Sequence, residues 1–150
     1  MKKIALIVIL IAVLQSVYSQ QLPDIYVYEA FQKTMQTLII PGYEFDQASR
    51  VDQGTPGENY RAEFSNDDNK TCVISVHKLA FFDEYENAED AQNVTPYNFQ
   101  DKPAVYLPTS NGKITRYYYK LPDKKITIAL LIYGNANQQT MEQIVASIKL

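Results

Sequence analysis

Residues 104–133 read AVYLPTSNGKITRYYYKLPDKKITIALLIY, and this stretch decides the fold. Ala104 to Thr109 reads as a strand and Lys113 to Lys120 as its return. Asn111-Gly112 between them is the strongest short-range hairpin signal, because both central residues of a tight turn need positive φ. Pro122-Asp123 turns the chain again, and Ile126 to Tyr133 forms a third strand. Strands joined by such short turns pair antiparallel.

The turns set a register. With Asn111-Gly112 as a two-residue turn, Tyr106 lies opposite Tyr117 and Leu107 opposite Arg116. With Pro122-Asp123 as a second one, Tyr119 faces Ile126 and Tyr117 faces Ile128. One sheet face then collects Tyr106, Tyr117, Tyr119, Ile126, Ile128, Leu130 and Ile132. The other collects Val105, Leu107, Ile114, Arg116, Tyr118, Thr127, Ala129, Leu131 and Tyr133. The first set is a core. The second is too apolar for open water, so it needs a cover. The expected cover is the N-terminal helix, whose apolar stripe also needs a partner; a second protein or a ligand are the alternatives.

Outward from this stretch the pattern is consistent. Asp24 to Ile39 predicts a helix with Asp24 as cap and Tyr28, Phe31, Met35 and Leu38 on one face, ended by Pro41-Gly42. Tyr43 to Ser49 alternates weakly as a strand. Tyr60, Ala62 and Phe64 alternate with polar residues as a half-buried strand, and Thr71 to Leu79 is a strand rich in β-branched residues. Asn66-Asp67-Asp68-Asn69 is a turn cluster, and Glu84 to Asn93 a short helix or loop. Asn137 caps a last helix, Gln138 to Lys149, with Met141, Ile144, Val145 and Ile148 as its stripe. The expectation is a single α+β domain: an antiparallel sheet of about six strands with an N-terminal and a C-terminal helix packed on it. This element order resembles PsbP-like and cystatin-like folds, a likeness of layout that covers no motif and implies no function.

Met1 to Ser19 reads as an export signal. Lys2 and Lys3 precede an apolar run from Ile4 to Leu14, and Val17-Tyr18-Ser19 supplies a cleavage site. The run is shorter than the about 20 residues of a membrane span, so no stable anchor is expected after cleavage. The mature chain then begins at Gln20, in the periplasm or outside the cell; the Met-Lys-Lys start has a bacterial look. Without Lys2 and Lys3 the chain has 12 basic and 17 acidic residues, a net charge of −5, which argues against nucleic acid or an anionic membrane as partner. Asp83, Glu84, Glu86, Glu89 and Asp90 form the densest acidic patch, read as a solvated face. The sequons at Asn69 and Asn93 are no more than a composition with this much Asn, Ser and Thr yields by chance.

The residues for common chemistries are sparse. Cys72 and His77 are single in the chain, so no intrachain disulfide and no Cys/His zinc site can be built, and neither a metal nor a cofactor is expected. Five residues apart on one strand, Cys72 and His77 point to opposite faces, which disfavours a thiol dyad. There is no Gly-x-Ser-x-Gly elbow and no Gly-rich phosphate loop. The leading expectation is therefore an exported, non-catalytic protein that engages a partner protein, or a second copy of itself, through the tyrosine-rich second face, with Arg116, Tyr118, Leu131 and Tyr133 as contact residues. A carrier for an anionic or aromatic small molecule, anchored by Arg116, Tyr118 and Tyr133, is the alternative. A hydrolase is a third.

Overall fold

A computed structural model describes residues 27–68, 70–87, 91, 94–108 and 112–149. The export signal, Asp24, Asn69, Glu89, Asp90, Asn93 and Asn111 lie outside the described residues. The chain runs α1 (Tyr28–Thr37), β1 (Glu44–Val51), β2 (Asn59–Ser65), β3 (Thr71–Lys78), a 3-10 segment (Leu79–Asn87), β4 (Tyr97–Phe99), β5 (Lys102–Leu107), β6 (Ile114–Leu121), a 3-10 turn (Pro122–Lys124), β7 (Ile126–Tyr133) and α2 (Gln138–Ser147). Seven strands form one antiparallel sheet in the order β1-β2-β3-β7-β6-β5-β4. The α+β architecture with terminal helices is thus present. The short β4 is the additional, seventh strand, and it sits at the edge.

The first hairpin has the expected register: Tyr106 pairs with Tyr117 and Leu107 with Arg116. Gly112 has φ +69°, the conformation that makes glycine the favoured residue there. The second hairpin differs. Tyr117 pairs with Leu130 and Tyr119 with Ile128, two residues away from the expected partners. The connection is four residues rather than two: Pro122 opens a 3-10 turn, and Lys125 closes it at φ +55° with its N–H donating to the Pro122 carbonyl at 3.1 Å. A shift of two keeps the alternation in phase, so every side chain stays on its expected face.

Both helices lie on the first face. Phe31 and Met35 of α1, and Met141, Ile144 and Val145 of α2, join Tyr60, Phe64, Ile74, Tyr117, Tyr119, Ile126, Ile128 and Leu130 in the main core. Burying Phe31 and Met35 contributes about 1.5–3 kcal/mol each. The Tyr28 hydroxyl donates to the Ala48 carbonyl at 2.6 Å, and Arg50 lies 4.9 Å over the Tyr28 ring. These contacts pin α1 to β1, and the edge-on contact of the Tyr28 ring with Tyr60, centroids 5.6 Å apart, pins it to β2.

The expectation that the N-terminal helix covers the second face is therefore corrected. The cover is the 3-10 segment. Phe82 and Tyr85 are buried with Val105, Leu107, Tyr118 and Ala129 in a second core, with Phe81, Ala91, Val94 and Leu131 packed against it. Topology explains this. The chain leaves β3 in the middle of the sheet and must reach β4, four strand spacings or about 19 Å away. Nine residues of 3-10 helix span about 18 Å. The connection has to cross the second face, and residues three apart on it point the same way, so Phe82 and Tyr85 face the sheet together. Asp83, Glu84 and Glu86 face water, as the charge pattern predicts.

Candidate functional site

The four residues expected to bind are placed unequally. Leu131 pairs with Arg116, and Tyr133 with Ile114, so these four share one end of the second face. Tyr133 is 43% exposed, and Ile114, Arg116 and Leu131 are half-buried. Tyr118 is separated from them by burial. It is 9% exposed and lies 6.1 Å from the Phe81 ring in a tilted contact. Burial pushes its hydroxyl pKa upward, with Arg116 opposing and Glu84 adding. Tyr118 thus belongs to the second core, while Arg116, Leu131 and Tyr133 remain at its open margin.

Further along the same face, period-2 alternation brings together two residues the sequence reading did not pair. His77 Nε2 and Ser75 Oγ are 2.8 Å apart. The His77 ring stacks on Phe81, centroids 3.6 Å apart and planes 6° from parallel. Burial lowers the His77 pKa from 6.5 to about 4, so the ring is neutral at pH 7. Ser75 is 6% exposed, and its hydroxyl also lies 3.4 Å from the Ala129 carbonyl. An attacking hydroxyl needs an approach path for its substrate and a base that titrates near the working pH. Ser75 is buried and the His77 pKa lies well below neutrality, and the stack of His77 on Phe81 ties the 3-10 segment to β3. Cys72 is on the opposite face, fully buried, with its thiol pushed up to about 12 by burial. Among the described residues no three His, Cys, Asp or Glu side chains come together as a metal site.

A second feature opens on the helix side of the sheet. One wall is the Ile40–Tyr43 turn, where Pro41 and Gly42, the latter at φ +79°, have the residue pattern of a type II turn and the Tyr43 N–H donates to the Ile40 carbonyl at 3.0 Å. The other wall is the link from β7 to α2. Buried Thr115 holds that link from both sides: its hydroxyl donates to the Gly134 carbonyl at 2.8 Å and accepts from the Ala136 N–H at 3.1 Å. The Tyr106 hydroxyl donates to the Ala136 carbonyl at 2.8 Å. Asn137 then caps α2, accepting from the Thr140 N–H at 2.8 Å. Between these walls lies a cleft of about 540 Å³ with Ile132 and Ile144 among its lining residues.

No protein-family model, curated protein or solved structure matches this chain.

Proposed function

We propose that this chain is an exported, non-catalytic binding protein that engages another protein through the end of the second sheet face beyond the 3-10 segment. The observation that carries the reading is Tyr133, a large aromatic 43% exposed at the end of a mostly buried strand, beside half-buried Ile114, Leu131 and Arg116. Tyrosine and arginine are the side chains enriched at interface centres, and Ile114 and Leu131 add apolar area beside them. The tyrosine ring packs while its hydroxyl stays wet, which suits a surface that is exposed before binding. Export rests on the charge–apolar–small order of Met1 to Ser19.

The carrier reading loses support on this face, because Tyr118, its third anchor, is held under Phe81. The test is site-specific photocross-linking in the living host. A photoreactive phenylalanine analogue replaces Tyr133, with the same analogue at exposed Gln47, on the same face at the far edge, as control. The expected result is one discrete product, heavier than the chain by one protein other than itself, formed from position 133 and not from position 47. No product, equal products from both positions, or a product of twice the chain mass overturns the reading.

A further inference from the structure

The cleft between the Ile40–Tyr43 turn and α2 has a lining unlike the rest of the molecule. Its twelve lining residues include no Asp, Glu, Lys, Arg or His. With 21% of the chain charged, twelve residues drawn at random would include two or three. Its apolar part is aliphatic: Ile40, Pro41, Ile132, Ala136 and Ile144. Ile39 stands at the lip, 84% exposed, the most exposed large apolar side chain among the described residues. A second recess of about 330 Å³ shares Ile39 and Ser147 with the cleft and is lined in addition by Thr34, Thr37, Leu38 and the cation Lys149, so the uncharged lining is that of the cleft alone.

The polar groups divide into two kinds. Asn137, Thr140 and Ser147 are engaged within α2: Asn137 caps the helix and accepts from the Thr140 hydroxyl at 3.0 Å, and the Ser147 hydroxyl donates to the Ile144 carbonyl at 2.6 Å. Tyr43, Asn135 and Gln143 have polar ends that make no side-chain hydrogen bond to the described residues. Tyr43 is half-buried, and burial pushes its hydroxyl pKa up, with the Cys72 thiol adding. A phenol and two carboxamides at the edge of an aliphatic cleft offer both donors and acceptors and no net charge.

We propose that this cleft is a binding site for an uncharged small molecule with an aliphatic body and an amide-type head. The volume lies within the range of small-molecule sites. The aliphatic floor takes the body, and Tyr43, Asn135 and Gln143 meet a head that both donates and accepts. A charged head seated in the cleft would leave water for a lining with no counter-charge of its own, Lys149 belonging to the adjoining recess. The site stands apart from the protein-binding surface, which is on the opposite face of the sheet, so either can fail without the other.

Hexanamide and hexanoate, matched in length and differing in head-group charge, are the probes. Each is titrated into the mature protein, and backbone amide shifts are followed by two-dimensional NMR. The expected result is saturable shifts at Tyr43, Ile132, Asn135 and Gln143 with hexanamide, at least fivefold weaker binding of hexanoate, and loss of both in Gln143→Trp. Gln143 is exposed, so this substitution fills the cleft without entering the core. No saturable shift at these positions, equal or tighter binding of hexanoate, as Lys149 in the adjoining recess would give, or unaltered binding by Gln143→Trp overturns the proposal. Shifts at the same amides on dilution without a probe would place a second copy of the chain there and overturn it as well.

Discussion

Acidification reads out the second core directly, because one buried group in it must gain a proton when the cover opens. His77 is held neutral between Phe81 and Ser75, with its pKa lowered from 6.5 to about 4 by burial. In the unfolded chain the ring titrates near 6.5. Between pH 6.5 and 4 the unfolded state therefore binds a proton that the folded state does not. Stability contributed by the neutral ring is complete above pH 6.5 and declines as the pH falls toward 4. At about 1.4 kcal/mol per pH unit, the gap amounts to about 3 kcal/mol, a large share of the stability of a domain of this size. Urea denaturation at pH steps from 7.5 to 4.5, followed by circular dichroism, measures it. His77→Gln keeps a hydrogen-bonding side chain beside Ser75 but cannot titrate. The wild-type stability should fall with a slope up to about 1.4 kcal/mol per pH unit steeper than that of His77→Gln below pH 6.5. Parallel curves would show that the ring is wet in the folded protein, and the 3-10 cover over it would then be wrong.

Three further outcomes follow from the same packing. Tyr118→Asp puts a carboxylate into the second core and should cost about 3 kcal/mol or more, whereas Tyr133→Asp at the exposed end should stay within about 0.5 kcal/mol; thermal or urea unfolding of the pair decides this. Cys72 should not react with a thiol reagent at pH 8 in the folded protein and should react fully in 6 M guanidinium-type denaturing conditions, about the strength that unfolds ordinary domains, since burial holds its thiol near pKa 12. Asn137→Ala removes the acceptor for the Thr140 N–H and should lower stability by about 1 kcal/mol, read as a shift in the urea midpoint with unchanged slope.

Much of this architecture is legible in particular residues. The register expected from the Asn-Gly pair is the one present, with Tyr106 opposite Tyr117. Asn137 caps α2 as its position before the apolar stripe implies. Cys72 and His77 do point to opposite faces, because five residues on a strand is an odd interval. The second hairpin is mis-sized because Pro122-Asp123 looks like a complete two-residue turn, and the left-handed residue that closes the real one is a lysine, which carries no turn signal. The cover of the second face is missed for a different reason. Asp83, Glu84 and Glu86 mark the segment as solvated, and their charge masks the period-3 pair Phe82 and Tyr85 beneath. That the segment crosses the face depends on β3 pairing with β7, a long-range contact with no local signature.

The two proposed sites are legible to different degrees. Leu131, Arg116 and Tyr133 are correctly grouped by alternation, and Tyr118 shares their face. Alternation gives the face of a side chain but not what lies over it, so Tyr118 separates from the others only in three dimensions. Ser75 and His77 share a face by the same rule, and their proximity was available from the sequence. The helix-side cleft was not, because its walls come from residues 39–43 and 132–147, joined only when the sheet brings both helices to one face.

Native mass spectrometry of the protein, gently purified from its own host, tests the proposed binding account most directly. A complex with a second, different polypeptide, present for the wild-type chain and lost in the folded Tyr133→Asp variant, is the predicted result. A bare monomer for both, or a complex that survives Tyr133→Asp unchanged, would contradict it.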